Sequence, residues 1–311
     1  MTVVLVGPTA SGKSGLAVAL ARAYAAAGRP AEVVNADSML VYRGMDVGTA
    51  KPTALERAGV VHHLVDVMDV TETASVAQFQ AMARAAVADC LARGVVPVLV
   101  GGSALYVRAV VDAFEFPGTD PVVRGRLERE LEALGPEALH ARLAERDPAA
   151  ASRIERGNGR RVVRALEVVE LTGGPYAAEL PERRYALPDV VQIGLDVPRP
   201  VLDERIRARV DAMWAAGLVD EVRRLADHGL RDGLTASRAL GYRQVLAFLD
   251  GETDEAAARE ATVVGTRRFA RRQDSWFRKD ERITWLAHDR PDLVEAALVL
   301  AGPEGRGRPA A

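Results

Sequence analysis

The sequence contains a single cysteine, Cys90, among its 311 residues. One cysteine excludes an internal disulfide and any zinc site built from several cysteines, and we expect Cys90 to serve in helix packing. The five histidines include no pair with the i, i+4 spacing that a helical zinc site uses. No apolar stretch is long enough to span a bilayer, and the first residues already resemble a core strand. We therefore expect a cytoplasmic protein without a signal peptide.

Lysine is also scarce in this chain. Of the 41 basic residues only Lys13, Lys51 and Lys279 are lysines, and the formal net charge is −2. This balance gives no global indication of a nucleic-acid partner, so only local clusters of arginine can support one. Hydrophobic residues make up 49% of the chain, enough to bury a large core in one large or two modest domains.

The stretch GPTASGKS follows the apolar run Val3–Val6 and precedes a segment rich in Ala and Leu. It fits the pattern G-x-x-x-x-G-K-[ST], a phosphate-binding loop (P-loop) between a strand and a helix. Backbone N–H groups and the helix N-terminus would face the anion, Lys13 would reach its outer oxygens, and the Ser14 hydroxyl would ligate Mg²⁺. The pattern therefore predicts phosphate binding, without identifying the phosphate compound, by Gly7, Pro8, Thr9, Ala10, Ser11, Gly12, Lys13 and Ser14.

Strand-like and helix-like runs alternate along the first third of the chain. Short β-branched runs, with helices at 13–27 and 76–93 between them, predict an α/β fold with a parallel sheet flanked by helices. The charged, strand-free stretch that follows predicts a helical insertion before the chain returns to the sheet. The predicted domains are 1–116 (first part of the core), 117–186 (helical insertion), 187–290 (return to the core, mostly helical) and 291–311 (terminal helix and disordered tail).

Polar residues follow two of the predicted strands. Asp37 and Ser38 come after AEVVNA, at the same sheet edge as the P-loop, because ligands of open parallel sheets lie beyond the carboxyl ends of the strands. Asp37 is therefore a candidate magnesium ligand or proton acceptor, with a turn or helix-capping aspartate as the alternative. The strand VVPVLV ends in Gly101, Gly102 and Ser103. Many nucleoside triphosphatases have a magnesium-organising carboxylate at the end of this strand. The two glycines and the serine therefore weaken the interpretation of this protein as a nucleoside triphosphatase.

Two nearby segments allow specific expectations. The Gly-rich segment 44–52, which carries Asp46 and Lys51, fits either a lid over a substrate or a plain surface loop. His62 and His63 open a short predicted strand, where successive side chains point to opposite faces. We expect one of these histidines to be buried and the other to be exposed.

Arginines cluster on two predicted helices. On the first helix, one side carries Arg160, Arg161 and Arg164. The second, TRRFARRQDSWFRKD, places Arg267 and Arg271 beside Arg268 and Arg272 in two i, i+4 rows. Either a polyanionic partner or a solvated helix face explains such rows. We expect Phe269 and Trp276, seven residues apart on the second helix, to form a core stripe rather than a base-stacking platform.

Eight segments, taken in order, resemble the bacterial tRNA dimethylallyltransferase family, whose members are also called tRNA isopentenyltransferases. They are GPTASGKS, NADSMLVYRGMDVGTAKP, HHLVDV, VLVGGSALYVRAVVD, NGRRVVRALEVVELTG, RIRARVDAMWAAGLVDEV, ALGYRQ and TRRFARRQDSWFRKD. They extend over nearly the whole chain apart from about the last twenty residues. The resemblance implies a P-loop NTPase-like parallel sheet core with an all-helical insertion domain.

The resemblance also implies the reaction. Family members hold the diphosphate of dimethylallyl diphosphate in the P-loop and transfer the dimethylallyl group to N6 of the adenosine 3′ to the tRNA anticodon. The expected cofactor is Mg²⁺, bound by Ser14. Catalytic roles fall on Asp37 as the general base, on Lys13 and on Ser103, while Arg207 or Arg209 adds charge to the diphosphate site. The implied tRNA-binding positions are Asp37, Ser38, Met39, Leu40, Ser103, Arg124, Arg160, Arg161, Arg164, Arg238, Gly241, Tyr242 and Arg243. We expect a monomer whose partners are tRNA and dimethylallyl diphosphate, and we expect no association with a membrane.

The departures from the family pattern remove no required functional group. Leu40 stands where some members have Gln, and Gly159 where many have Asp.

Three other functions remain as alternatives. An adenylate isopentenyltransferase would resemble the core but would not need the arginine-bearing insertion. A small-molecule P-loop kinase would be recognised by magnesium-dependent ATP turnover. The third alternative is an RNA-binding protein with a non-functional P-loop. Such a site would have no reason to keep Lys13, Ser14 and Asp37, and all three are present.

Overall fold

The computed structural model describes residues 1–113, 116–176 and 182–302. The chain forms two compact units. The core unit is Met1–Asp112 with Tyr185–Ala311, and the inserted unit is Ala113–Arg184. The disordered tail predicted within 291–311 lies, from residue 303 onward, outside the described residues. None of the helices in the described ranges is both long and apolar enough to cross a bilayer.

A single sheet of parallel strands forms the centre of the core unit. Its strands are β1 (Thr2–Val6), β2 (Ala31–Asn35), β3 (His62–His63), β4 (Val96–Gly101), β5 (Val190–Asp196) and β6 (Ile283–Ala287). Their order is β3–β2–β4–β1–β5–β6, with every neighbouring pair parallel. The predicted parallel sheet is thus confirmed. The loops that follow β1, β2 and β4 leave the same edge of the sheet side by side.

Helices precede and follow these strands along the chain. Within the described residues they are α1 (Lys13–Ala26), α2 (Ala54–Arg57), α3 (Val76–Ala92), α4 (Ala104–Val111), α5 (Pro121–Arg146), α6 (Pro148–Arg153), α7 (Gly159–Thr172), α8 (Arg199–Ala215), α9 (Leu218–Asp227), α10 (Tyr242–Leu249), α11 (Glu255–Phe277) and α12 (Leu293–Leu300). Short 3₁₀ turns at Leu230–Asp232 and Ala236–Arg238 join α9 to α10. The helices predicted at 13–27 and 76–93 are confirmed as α1 and α3.

Helices cover both faces of the sheet. Val4 and Val6 of β1 belong to a core that includes α3, whereas Val3 and Leu5 belong to a second core that includes α1. All residues of β1 are therefore buried, which explains why this strand is a continuous apolar run instead of an alternating one. Each such side chain contributes about 1.5–3 kcal/mol when it leaves water, so the sheet centre is a firm support for the loops at its edge.

The inserted unit is helical and has its own core. Helix α5 is kinked at Gly135, which has a φ of +81° and is followed by Pro136. The kink forms here because glycine adopts that φ without steric cost and because proline cannot donate a backbone hydrogen bond. The Asn158 side chain accepts the N–H of Arg161 at 3.2 Å and caps the start of α7. The buried core consists of Leu127, Leu139, Leu143, Ala150, Ala151, Ile154, Val162, Val163, Ala165 and Leu166. The predicted helical insertion is confirmed.

The expectation for His62 and His63 is wrong. Strand β3 is only these two residues long, at the edge of the sheet, and both side chains are half-buried. His62 Nδ1 lies 2.9 Å from the Val60 carbonyl oxygen, and His63 Nε2 lies 2.6 Å from a Glu32 carboxylate oxygen. An edge strand of this length has no fully covered face, so neither histidine is buried or fully exposed.

The core stripe predicted for Phe269 and Trp276 is also wrong. Trp276 is 51% exposed, and Phe269 is half-buried with the Arg272 guanidinium over its ring at 5.9 Å. The buried face of α11 is formed instead by residues that include Ala270, Gln273 and Phe277. The aromatic pair lies beside that face. All the elements packed against a helix decide which of its side chains are buried, and the heptad spacing of a single pair does not.

Candidate active site

A pocket of about 680 Å³, counted with its open mouth, lies at the carboxyl ends of β1, β2 and β4. It therefore occupies the sheet edge at which an open parallel sheet binds its ligands. Its lining combines P-loop residues, polar residues after β2, and side chains from α8 and α11. The lining residues are Thr9, Lys13, Ser14, Ala17, Val33, Asn35, Asp37, Leu40, Thr49, Ala50, Pro52, His62, Val65, Val100, Gly101, Gly102, Arg209 and Gln273.

The P-loop has the tight backbone that its sequence predicts. Positive φ angles occur at Gly7 (+143°), Ala10 (+62°) and Gly12 (+99°). Glycine adopts such angles without steric cost, whereas Ala10 carries a Cβ in the left-handed region. Inside the loop, Lys13 Nζ donates to the Pro8 carbonyl at 2.7 Å. The loop therefore wraps around its own lysine, with Thr9, Lys13 and Ser14 at the pocket wall.

Lys13 and Arg209 bring two positive charges to this pocket. Burial and the nearby Arg209 guanidinium lower the pKa of Lys13 to about 8, although Asp37 acts in the opposite direction. Burial also lowers the pKa of Arg209, and its Nε atom is buried without a hydrogen-bond partner among the described residues. An anion bound between the two groups would lower the cost of their repulsion and desolvation and would also accept a hydrogen bond from the unsatisfied Nε.

Asp37 is held by the turn that follows β2. The buried Asn35 side chain accepts the Asp37 N–H at 2.8 Å and donates to the carbonyls of Asp37 (2.9 Å) and Leu64 (3.0 Å). One Asp37 carboxylate oxygen in turn accepts the Met39 N–H at 2.9 Å. Asp37 thus has the local turn role and also lines the pocket, while its role as a magnesium ligand or proton acceptor stays a prediction. Sequence reasoning missed Asn35, which fixes the direction of this turn.

Gln273 of α11 ties the P-loop to the end of β4. It is 5% exposed; its Oε1 accepts the Thr9 N–H at 2.8 Å, and its Nε2 donates to the Gly102 carbonyl at 2.7 Å. A Cβ on Gly102 would lie 2.4 Å from that Nε2, so a larger residue there would displace the Gln273 amide from this contact. Sequence reasoning missed Gln273, because the arginines around it are the prominent feature of this helix.

Ser103 and two arginines of α8, Arg207 and Arg209, are placed differently from one another. Ser103 precedes α4, is half-exposed and lies next to Gly102 but outside the set of pocket-lining residues. Arg209 lines the pocket, whereas exposed Arg207 forms a bidentate pair with Glu260 at 3.0 Å. Of the two arginines expected at the diphosphate site, Arg209 is the one in the pocket wall, whereas the Arg207 side chain lies at the surface.

The positions expected to bind tRNA fall into exposed and internally bonded groups. Ser38, Met39 and Leu40 are half-buried beside Asp37, with Leu40 in the pocket wall. Exposed arginines occur in the inserted unit at Arg160 and Arg161, and in the core unit at Arg238 and Arg243. These positions present charge to solvent, as contact with a polyanion requires.

Arg124 and Arg164 differ from these exposed arginines, because both form ion pairs with the fully buried carboxylate of Glu167. Burial opposes ionisation, but hydrogen bonds from Arg124, Thr119 and Arg164 hold the pKa of Glu167 below its usual value. Arg164 also donates to the Pro117 and Gly118 carbonyls at 2.6 and 3.0 Å. The single arginine face predicted for α7 is therefore wrong for Arg164, whose charge is used inside the unit.

Gly241 and Tyr242 are buried, and this overturns a tRNA contact by the Tyr242 side chain. Tyr242 is 0% exposed, and its hydroxyl donates to Glu221 at 2.6 Å. Gly241 has a φ of +89° and precedes α10. The physical reason is that both residues belong to the core between α9, α10 and the Gly-rich segment.

The Gly-rich segment 44–52 is bonded to the rest of the core unit through Lys51, although Gly44, Asp46 and Ala50 are exposed. Lys51 is buried, and its ammonium donates to the Tyr42 carbonyl (2.8 Å), to Asp46 (2.6 Å) and to Asp66 (2.5 Å). These bonds fold the segment back on itself and leave Thr49 and Ala50 at the pocket wall.

Cys90 lies in a polar cluster at the opposite end of β2. Its Sγ is 3.5 Å from Glu32 Oε2 and 3.7 Å from His63 Nε2. Cysteine, glutamate and histidine side chains grouped in this way can also bind a metal ion. Arg93, however, forms a bidentate pair with Glu32 at 2.7–2.8 Å and lowers the pKa of that carboxyl to about 2. Burial and the nearby Glu32 raise the pKa of Cys90 to about 11. The guanidinium already supplies the positive charge here, and the thiol stays protonated.

Comparisons with known proteins agree with this geometry. The family model described as IPP transferase matches residues 40–280. The tRNA dimethylallyltransferase of Thermobifida fusca is 63% identical over 298 residues, covering 96% of this chain and 93% of that protein. The tRNA dimethylallyltransferase of Kineococcus radiotolerans is 66% identical over 297 residues, covering 95% and 93%.

Solved structures show the same likeness. The tRNA isopentenylpyrophosphate transferase of Bacillus halodurans matches with a TM-score of 0.71 at 40% identity, covering 98% of this chain and 97% of that one. A eukaryotic dimethylallyltransferase, described as acting on tRNA, matches with a TM-score of 0.83 at 25% identity, covering 99% and 80%. The P-loop NTPase-like fold is confirmed by these neighbours. The chain belongs to the IPP transferase family, a family of tRNA prenyltransferases.

Proposed function

We propose that this protein transfers the dimethylallyl group from dimethylallyl diphosphate to the exocyclic N6 of the adenosine 3′ to the tRNA anticodon, releasing diphosphate. The observation that carries the proposal is the meeting of Lys13, Arg209 and Asp37 in one pocket at the P-loop. Two cations suit a diphosphate, and a carboxylate beside them suits the removal of a proton from a nucleophile.

The diphosphate would bind where the two cations and the P-loop backbone meet. As the allylic C–O bond breaks, negative charge grows on the departing diphosphate, and fixed donors lower the free energy of that state. Lys13 uses one of its three N–H donors on Pro8, so the others are available to phosphate oxygens. The unsatisfied Nε of Arg209 is a further donor.

The residues present also fit Mg²⁺. The Ser14 hydroxyl and the Asp37 carboxylate both line the pocket, and hard oxygen donors are those that Mg²⁺ prefers. We propose that Ser14 is its protein ligand. When bound, the ion would supply additional positive charge to the leaving diphosphate.

Asp37 would serve as the general base. The adenine amino group is a weak nucleophile, because its lone pair is delocalised into the ring, and it loses a proton as the new C–N bond forms. A carboxylate that accepts this proton assists the step directly. The hydrogen bond from Met39 and the turn built by Asn35 orient the Asp37 carboxylate toward the pocket. Ser103, at the start of α4, would touch the substrate beside this centre.

The tRNA would reach this pocket with its target nucleotide extruded, since a base must leave its stack before its N6 can be alkylated. An unstacked anticodon loop makes that extrusion inexpensive. Exposed Arg160, Arg161, Arg238 and Arg243, with Asp37–Leu40, are the proposed tRNA contacts. We further propose that the protein acts as a monomer in the cytoplasm.

The proposal is tested by a transfer assay with purified protein, Mg²⁺ and labelled dimethylallyl diphosphate. Unmodified tRNA, AMP or neither is supplied as acceptor, and ATP turnover is measured in parallel. We expect label on tRNA only, and none when Lys13→Met replaces the wild type. Label on AMP would assign the protein to the adenylate isopentenyltransferases, and ATP turnover without transfer would make it a kinase. Either result would overturn the proposal.

A further inference from the structure

The segment between Met45 and Lys51 runs along one wall of the pocket. Met45 and Lys51 are buried, and Thr49 and Ala50 between them line the pocket itself. The Thr49 hydroxyl donates to the Met45 carbonyl at 2.6 Å, so the turn is closed locally. What fixes the turn against the rest of the core unit is a buried carboxylate.

Glu221 of α9 supplies that carboxylate. It is 2% exposed and accepts the backbone N–H groups of Asp46 (3.1 Å), Val47 (2.7 Å) and Gly48 (3.1 Å). Three successive N–H groups around one carboxylate form an anion-binding nest, here filled by a side chain of the same protein. Such charge-assisted bonds are about twice as strong as neutral ones, and they hold the backbone of the turn in one place.

Tyr242 completes the arrangement. Its hydroxyl donates to the same carboxylate at 2.6 Å, and its ring packs on Gly48, where an added Cβ would lie 2.5 Å from Cε2. Tyr242 therefore fixes both the carboxylate and the backbone that the carboxylate binds. Its 0% exposure leaves no surface for a macromolecular substrate.

The fixed turn reaches the pocket through Thr49. The carbonyl oxygen of Thr49 accepts a hydrogen bond from an Arg209 terminal nitrogen at 3.1 Å. Arg209 is half-buried, and its buried Nε has no hydrogen-bond partner among the described residues, so the bond to Thr49 is the hydrogen bond that holds its head group there. A shift of the turn would therefore move the Arg209 guanidinium relative to Lys13.

We propose that Glu221 and Tyr242 are positioning residues that set the Arg209 guanidinium in the diphosphate site through the backbone of residues 46–49. This inference rests on the proposed function, because it names what Arg209 is positioned to bind. It assigns Tyr242 to the prenyl donor side of the reaction rather than to tRNA contact.

The test uses Tyr242→Phe, which keeps the ring on Gly48 and removes only the hydroxyl. The matched control is Tyr42→Phe, since Tyr42 is equally buried and its hydroxyl bonds to residues 72 and 74, away from Arg209. For Tyr242→Phe we expect the KM for dimethylallyl diphosphate to rise about three- to tenfold, less than the full effect of one lost hydrogen bond to a charged group because Tyr242 acts on the site indirectly, with the KM for tRNA unchanged. Tyr42→Phe should leave both KM values unchanged at a similar loss of thermal stability.

A double-mutant cycle identifies the route. In an Arg209→Met background the effect of Tyr242→Phe on the KM for dimethylallyl diphosphate should disappear, because there is no guanidinium left to position. An equal effect with and without Arg209, or a rise in the KM for tRNA alone, would overturn the inference. Binding of inorganic diphosphate with Mg²⁺ to the wild type, measured by calorimetry, separates this outcome from failure of the proposed function. A wild type that binds no diphosphate refutes the function, whereas equal binding by wild type and Tyr242→Phe refutes only the positioning role.

Discussion

At the scale of single residues, the pocket places the ammonium of Lys13, the guanidinium of Arg209 and the carboxylate of Asp37 at one sheet edge. The two cations repel one another and the carboxylate attracts both, so the pKa of Lys13 depends on the charges beside it. This balance leads to a prediction about pH and a prediction about the proton acceptor.

The first prediction concerns pH. The pKa of Lys13 is lowered to about 8 by burial and by Arg209, so the ammonium is mostly charged at pH 7 and loses its proton as the pH rises through that value. Because diphosphate prefers the charged form, kcat/KM for dimethylallyl diphosphate should fall between about pH 8 and 9. Lys13→Arg, which stays charged, should lack this fall whatever its absolute activity. The same fall in both proteins would show that another group titrates.

The second prediction concerns Asp37. Asp37→Asn keeps the shape of the side chain and its turn bond but cannot accept a proton, so kcat should fall by about 10²–10⁴. Dissociation constants for inorganic diphosphate and for tRNA should change little. Asp69→Asn, an exposed carboxylate paired with Arg43, is the control and should leave kcat unaltered. Rates for Asp37→Asn within about threefold of the wild type would exclude Asp37 as the base.

Several site residues could be predicted because their chemistry is local in sequence. The P-loop pattern, the strand before it and the helix after it occupy one continuous stretch, and Asp37 follows directly on a strand. Gln273 could not be predicted, since its partner Thr9 is 264 residues away and nothing in RRQDSW shows which segment it meets. Glu221 and Gly48, 173 residues apart, form a contact of the same kind.

At the scale of secondary-structure elements, the loop after β1 is held by a helix from the far end of the chain. Gln273 of α11 bonds to the P-loop on one side and to the end of β4 on the other. The central strands could be predicted, because β1, β2, β4 and β5 are short runs rich in β-branched residues that the sheet mostly buries. Their carboxyl-end loops depend on α8, α9 and α11, and those helices show only their own periodicity in the sequence.

The third prediction follows for this connection. Gln273→Met keeps a similar volume but leaves the Thr9 N–H and the Gly102 carbonyl without their partner, so the protein should lose about 1–3 kcal/mol of unfolding free energy. The loosened P-loop should also bind inorganic diphosphate more weakly. Gln192→Met, which removes the buried hydrogen bond to Tyr185 at 2.9 Å, is the matched control. It should lose similar stability in urea unfolding and keep its diphosphate affinity; equal affinity losses in both variants would contradict a specific role of Gln273.

At the scale of the whole molecule, a net charge of −2 offers no general attraction to a polyanion. Binding of tRNA must therefore depend on where individual arginines stand and on whether they already serve an internal acid. In the inserted unit, Arg124 and Arg164 hold the buried Glu167, whereas Arg160 and Arg161 face solvent at the start of α7. The sequence pattern alone grouped these arginines together, because spacing on a helix does not show which residues a neighbouring helix covers.

The last prediction separates the two groups of arginines. The double variant Arg160→Glu/Arg161→Glu should weaken tRNA binding, and the slope of log Kd against log salt should fall by about one for each phosphate that the variant no longer neutralises. Its loss of stability should be smaller than that of a variant at Arg164, since both side chains are exposed. Arg164→Glu should instead destabilise the fold, because it places a second carboxylate beside the buried Glu167. The double variant Arg22→Glu/Arg29→Glu, at exposed positions in and just after α1, controls for the same change in net charge. If this control changed the salt slope as much as the α7 double variant, tRNA binding would follow overall charge and not the arginines of α7.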